Sequence, residues 1–309
     1  MKFDVALPGN NHLPTTPEWT WSLGTHEWKR IVTAVDQLGY NAVTTSEHFA
    51  MPYEEVSRLG PYWTHALSVL AFVAGATEQV RLDASVLVLP YHHPLGLAKA
   101  LATIDVLSGG RLNVSVGVGH AVREFEALGV PFEERGPISD EILEAVAVLW
   151  RDDQPSYHGR FFDIDGLAFE PKPVQRPRPP IYVGGNSKPA LRRAARYDGW
   201  QPNPTDFGFH EVAPLFDYLR EQPEFAGKEG SFELHWLKPP SGVHPPLPFT
   251  DASDTARAAY RDQLIEGLEA FAAHGVTRTP VPVPPTRSLD EFLAYLQWFD
   301  EEIVPRLAR

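Results

Sequence analysis

Residues Leu97–Gly119 read LAKALATIDVLSGGRLNVSVGVG, and the order of elements in this stretch decides the fold. Apolar residues at helical spacing predict a helix over about Leu95–Leu107, which stops at Ser108-Gly109-Gly110. After that turn, Leu112–Gly117 reads as a strand, the fourth in the chain. Upstream, the same alternation predicts strands at Phe3–Pro8, Asn41–Ser46 and Val80–Leu89, with helices at about His26–Leu38 and Ala66–Ala76. Downstream, it predicts strands at Pro180–Gly184, Gly199–Pro202, Phe232–Lys238 and Val276–Val281. The helices between and after these lie at about Lys188–Tyr197, Gly208–Gln222 and Thr255–His274, with a last one from Ser288. Glu291 stands three residues after Ser288, a capping-box pattern.

Repeated strand–helix units require a parallel sheet, because a parallel partner is reached only through a crossover. Eight such units in 309 residues fit an α/β fold of the (β/α)8 TIM-barrel type, read as one domain over 1–309. The rhythm breaks at about 120–179, which reads as an insertion after strand four: a helix at about Asp140–Trp150, a hairpin-like stretch and a proline-rich return.

Composition narrows the function. Hydrophobic residues make up 43% and charged residues 22%, ordinary for a globular chain. The net charge of −13, with no basic cluster, argues against nucleic-acid binding. The absence of cysteine excludes disulfides, thiol catalysis and thiolate metal centres. No apolar window reaches the roughly 18 residues of a membrane span, and the first residues lack a signal-peptide pattern, so a cytoplasmic protein without a membrane partner is expected. No metal site is expected: there is no HExxH, no His-x-His on strand one, and His92-His93 lacks ligand spacing.

In such barrels the working residues follow the strands, which selects four places. Glu47-His48 end strand two, and the histidine can hold a proton near neutral pH; a satisfied surface or core histidine is the plainer reading. Ser85-Val86 lie on strand three. On residues alone they read as ordinary barrel packing, although a small residue there would let a flat ring approach the backbone. Gly117 and Gly119 permit tight backbone geometry after strand four, and His120 projects from that turn as a candidate proton donor, or as a loop histidine without a role. A dinucleotide fingerprint is rejected, since Val122 stands where its third glycine would be. Gly184, Gly185, Asn186 and Ser187 lead into a helix, so their amides and the helix dipole can hold a phosphate; a simple strand–helix turn is the plainer reading. Trp19, Trp21, Tyr53, Tyr62, Trp63 and Trp236 are placed to line the mouth, where they would favour an aromatic or apolar substrate, while Lys238 and Arg287 are placed to meet an anionic group.

The opening stretch also resembles the signature segment of the luciferase-like monooxygenase and F420-dependent oxidoreductase superfamily. Similar in the expected order are LGYNAVTTSEHF (38–49), EFEALGVPFEERG (124–136), YHGRFFDIDG (157–166), FEPKPVQRPRPPIYVGGNS (169–187) and RRAARYDGWQPN (192–203), while the part beyond Gly208 matches loosely. The resemblance implies a barrel holding coenzyme F420 or FMN at its mouth, and a homodimer. It implies that Glu47 and His48 contact the cofactor ring, that a cis peptide at Ser85-Val86 backs it, and that Gly184, Gly185, Asn186 and Ser187 bind its phosphate. It places the acid just past the strand-four glycines, where His120 departs from the family's glutamate or tryptophan. The compact length favours the deazaflavin branch, with hydride transfer to or from a small organic substrate. The alternatives are an FMN-dependent monooxygenase fed by a separate reductase, and a flavin-binding protein without turnover.

Overall fold

A computed structural model describes residues 1–203 and 208–307. Its strands are β1 (Lys2–Ala6), β2 (Ala42–Thr45), β3 (Arg81–Ala84), β4 (Leu87–Val88), β5 (Leu112–Gly117), β6 (Tyr157–His158), β7 (Asp163–Ile164), β8 (Ile181–Gly184), β9 (Gly199–Gln201), β10 (Glu233–Leu234) and β11 (Arg278–Pro280). The helices are α1 (Thr25–Gln37), α2 (Val56–Leu59), α3 (Ala66–Ala76), α4 (Pro94–Leu107), α5 (Val122–Leu128), α6 (Arg135–Arg151), α7 (Lys188–Ala195), α8 (Val212–Arg220), α9 (Asp254–Ala273), α10 (Leu289–Glu302) and α11 (Val304–Leu307).

The main sheet runs β10-β9-β8-β5-β3-β2-β1-β11, every pair parallel. Its ends meet at a parallel bridge between His235 and Arg278, where Trp236 N–H donates to the Arg278 carbonyl at 3.0 Å. The eight-stranded barrel expected from the sequence is therefore present.

Strand alternation explains how the barrel packs. In β5, Leu112, Val114 and Val116 join the apolar core beneath the helices, while Ser115 turns inward and donates its hydroxyl to Asp83. In β1, Phe3 and Val5 face the helices and Asp4 faces the axis, where Arg278 joins it to Asp83. The inward layer at the barrel's middle is thus ionic, where bulky aliphatic residues usually fill such barrels.

Several expectations are corrected. The strand expected over Val80–Leu89 is two pieces, β3 and β4, with the cis Ser85–Val86 peptide between them. β4 pairs with the end of β5 only. The strand expected over Phe232–Lys238 shrinks to β10, and that over Val276–Val281 to β11, where Pro280 and Pro282 offer no N–H to extend pairing. The helix expected from Asp140 begins at Arg135 and packs along α4, so it belongs to the ring of barrel helices. What stands outside that ring after strand four is α5 and the β6–β7 hairpin. Ser288 caps α10 by accepting from Glu291 N–H at 3.2 Å. The Glu291 carboxylate serves Arg287 and its amide, so the capping box is only half made.

Candidate functional site

Two residues on from the ionic layer, period-2 alternation brings a second inward layer to the C-terminal mouth. It holds Ala6, Thr44, Ser85, Gly117 and Gly184, all small, with Gln201 accepting a hydrogen bond from Ser85 Oγ at 3.1 Å. One side of the mouth is thereby floored by a shelf with little side-chain relief. The shelf glycines have a packing reason: a Cβ on Gly117 would lie 2.9 Å from Val86 Cγ2, and one on Gly184 3.3 Å from Val86 Cγ1. Gly119 has a positive φ of 79°, and its Cβ would lie 2.6 Å from Val88. These three glycines make room for the chain that follows the cis peptide.

The Glu47-His48 pair divides. Glu47 is 3% exposed; its carboxylate accepts Val88 N–H at 2.8 Å and lies 3.0 Å from His92 Nε2. Both oxygens are occupied inside the protein, so Glu47 fastens β4 to the end of β2 and is not placed to touch a ligand. His48 turns the other way. Its Nδ1 lies 2.6 Å from Glu124 Oε2, and its ring stands edge-on to Trp63 at 4.6 Å and to His120 at 5.6 Å. Glu124 also accepts from the amides of Phe49 and Ala50 and from the Tyr91 hydroxyl. Burial pushes its carboxyl up, but the hydrogen bonds from His48 and from those amides prevail and hold it below the ordinary carboxylate value. Burial, then the neighbouring His48 and Arg58, push His120 down from 6.5, which favours its neutral form near pH 7.

Glu124, Tyr91 and His92 were not singled out by sequence reasoning. Glu124 sits in a short helix where it reads as surface charge, and His92 as a helix opener. His93 does open α4, accepting from Leu95 N–H. Only proximity across the strand ends unites these residues.

At the turn into α7, Gly185 has φ of 114°, a conformation that favours glycine, and its Cβ would meet Ala190 at 3.2 Å. The Asn186 side chain clasps the backbone of Asn203, and Ser187 caps α7. No acidic residue lies in the first turn. Among the described residues, the amides of Asn186 and Ser187 make no hydrogen bond within the chain. Free amides at a helix start, beside Lys188 and without a carboxylate, fit a phosphate.

Across the mouth from this turn lies a cavity of about 490 Å³ between the ends of β1, β2, β3 and β11. Trp19 lines it, its indole donating to the Thr286 carbonyl. Other aromatic residues expected at the mouth lie elsewhere: Trp236 is 1% exposed in the core, and Tyr53 projects into solvent. Trp21 and Tyr62 flank His12 in an exposed stack. Lys238 is exposed, and Arg287 is engaged by Asp251 and Glu291, so neither greets a ligand in the cavity. Among the described residues, no group of three histidine or acidic side chains could hold a metal, and no helix is long and apolar enough to cross a membrane.

Comparison with known proteins bears on the family and the fold. The luciferase-like monooxygenase family matches residues 1–295. An uncharacterized protein of Mycobacterium tuberculosis is 36% identical over 230 residues, spanning 74% of this chain and 72% of that protein. An FMNH2-dependent dimethylsulfone monooxygenase of Pseudomonas putida is 40% identical over 128 residues, 40% of this chain and 35% of that enzyme. Among solved structures, a monooxygenase from Streptomyces bottropensis superposes with a TM-score of 0.78 at 24% identity, covering 99% of both chains. A coenzyme F420-dependent tetrahydromethanopterin reductase from Methanopyrus kandleri does so at 0.70 and 16%, also covering 99% of both.

Proposed function

The chain belongs to the luciferase-like monooxygenase family, and from that premise we propose that it is an F420-dependent oxidoreductase, moving a hydride to or from a small organic substrate. The observation that carries the reading is the histidine pair at the mouth: His48, held through Nδ1 by Glu124, with His120 5.6 Å away. Hydride loss from an alcohol must be matched by loss of a proton, which a neutral imidazole beside the shelf is placed to accept; in the reverse direction the imidazolium formed gives it back to the carbonyl oxygen. When bound, the deazaflavin supplies the hydride.

The chain's own residues would then do the rest. The Asn186 and Ser187 amides, opened by the Gly185 turn, hold the phosphate. Ser85, Val86, Gly117 and Gly184 provide the flat wall, with Gly119 shaping the chain behind it. His48, its Nδ1 committed to Glu124, presents Nε2 towards the mouth as a hydrogen-bond partner for the ring. His120 accepts or donates the substrate proton. A homodimer belongs to the same reading.

A second reading, an FMN-dependent monooxygenase fed by a separate reductase, is favoured by the 40% identical stretch shared with the dimethylsulfone enzyme. Paired titration with F420 and with FMN, followed by fluorescence and calorimetry, separates the two. Tight F420 binding with weak FMN binding supports hydride transfer; the reverse supports the monooxygenase. Gly185→Asp serves as the internal control, because a carboxylate and a strained backbone at the turn should weaken the preferred cofactor about tenfold or more. Unchanged affinity in that variant removes the phosphate assignment. Binding without turnover on any carbonyl or alcohol would leave a flavin-binding protein.

A further inference from the structure

The cavity across the mouth opens over Ala6, Thr44 and Ser85 of the shelf. Its apolar lining is Leu13, Trp19, Leu237, Val283, Pro284 and Phe292, together with Thr16 and Thr20, whose hydroxyls are spent on the Leu13 and Pro17 carbonyls. Its polar wall carries Asn10, Asn11, Thr45 and Ser46. Among the described residues, no lysine, arginine, histidine or acid lines it at all. The nearest charges below are Asp4, Asp83 and Arg278, all 0% exposed and a layer deeper in the barrel. At the rim, Arg287 is already neutralised by Asp251 and Glu291.

The polar wall has a defined hydrogen-bond sense. Ser46 Oγ accepts from Asn10 Nδ2 at 3.0 Å and from Asn11 Nδ2 at 3.2 Å. The Asn10 amide is oriented by Thr64, whose hydroxyl donates to its Oδ1 at 2.8 Å. A hydroxyl oxygen has two lone pairs and one proton. With both lone pairs filled, Ser46 can only donate, and no acceptor for its proton exists among the described residues. Beside it, Thr45 Oγ1 is buried without a hydrogen-bond partner. Ser46 is thus left with a proton to give, and an acceptor for it is what a ligand would bring.

We infer that this cavity is the substrate chamber, and that it takes an uncharged molecule: a hydrocarbon body against Trp19 and Phe292, with a single carbonyl or ether-type oxygen received by the Ser46 hydroxyl. Ser46 is then a specificity residue. The inference rests on the proposed function only in calling the occupant a substrate; the chemistry of the occupant follows from the wall. A carboxylate or phosphate would be desolvated here with no cation to meet it, at a cost far above one hydrogen bond. An alkane of equal shape would leave the Ser46 proton unpaired.

The test uses three bodies of one shape: β-tetralone, tetralin and tetralin β-carboxylate. Their binding to the full chain is read by quenching of Trp19, with Trp19→Phe as the blank, first without cofactor and then with the cofactor that the titration selects. The ketone is expected to bind best, tetralin about threefold to tenfold more weakly, and the carboxylate more than a hundredfold more weakly. In Ser46→Ala the ketone should fall to the affinity of tetralin while tetralin itself is unchanged, which also shows that the variant keeps the chamber intact. Carboxylate binding equal to that of the ketone overturns the inference. So does an equal loss of ketone and tetralin in the variant, or no binding of any of the three. Displacement of the ketone by bound cofactor also overturns it, because the cavity would then be the cofactor's own. If neither cofactor binds but the ranking holds, the proposed function fails and the chamber stands.

Discussion

The molecule contains two buried centres in which carboxylates meet cationic or ionisable partners, and they behave oppositely. In the barrel interior, Arg278 Nη2 lies 2.6 Å from Asp83 and its Nε 2.5 Å from Asp4, all three 0% exposed. At the mouth, Glu124 holds His48, two backbone amides and Tyr91. The interior centre has the larger disturbance. Burial raises Asp4 from 3.8 to about 6 even against Arg278 and the Asn41 amide. Burial, then Arg278, keeps His235 neutral, far below its ordinary value. Glu124, by contrast, is held on the low side by its hydrogen bonds. The strongly perturbed Asp4 thus lies in the barrel's structural interior, and the less perturbed Glu124 in the candidate site. Perturbation marks where desolvation is strongest; access to a ligand decides whether it serves chemistry.

This contrast breaks first at His48. With cofactor and substrate saturating, His48→Ala should lower kcat by about 10²–10³-fold, while the loss of a partner for buried Glu124 should cost no more than about 1–3 kcal/mol in unfolding. His120→Ala, assayed in the same way, should show a loss of the same kind. Unchanged turnover in His120→Ala would move the proton to another group. A variant that instead unfolds would make the mouth a structural centre like the interior.

The interior centre should respond in the opposite sense. Arg278→Met leaves the buried Asp4 and Asp83 carboxyls without their shared cation, and should cost about 3–5 kcal/mol in denaturant unfolding. Cofactor affinity of the molecules that remain folded should be retained, since the mouth layer lies above the ionic one. A loss of affinity with little loss of stability would mean that the two layers are coupled.

The smallest effect sharpens the contrast through pH. The folded chain holds the Asp4 proton more tightly than the unfolded chain does. Its contribution is therefore fully present below about pH 4 and is lost as pH rises through about 6. The two-unit rise corresponds to about 3 kcal/mol, an upper figure because the carboxyl relaxes in its ion pair. In Asp4→Asn, the fall in unfolding free energy between pH 4 and 6 should flatten, as measured by urea titration at each pH. An unchanged slope would assign the dependence to another group.

Much of this was legible in the residues. The unit around Leu97–Gly119 announced strand–helix alternation through local signals: helical spacing, a glycine stop and an apolar strand. The barrel then follows from topology, since parallel neighbours need crossovers. The four strand-end positions were also found, because a barrel puts loops after strands at one mouth. Side-chain direction was not legible there. Glu47 and His48 are adjacent in sequence, yet one fastens β4 and the other is held by Glu124 of a later helix.

The sequence by itself thus determined the class of fold, the places where chemistry could sit and the absence of thiols, because these depend on composition and on short-range periodicity. The tertiary structure alone decided which partners each polar group took. Glu124 reaches His48 across 76 positions and Arg278 reaches Asp83 across 195. A buried charge takes whichever donors the closed barrel brings within hydrogen-bonding distance, and no local pattern encodes that meeting.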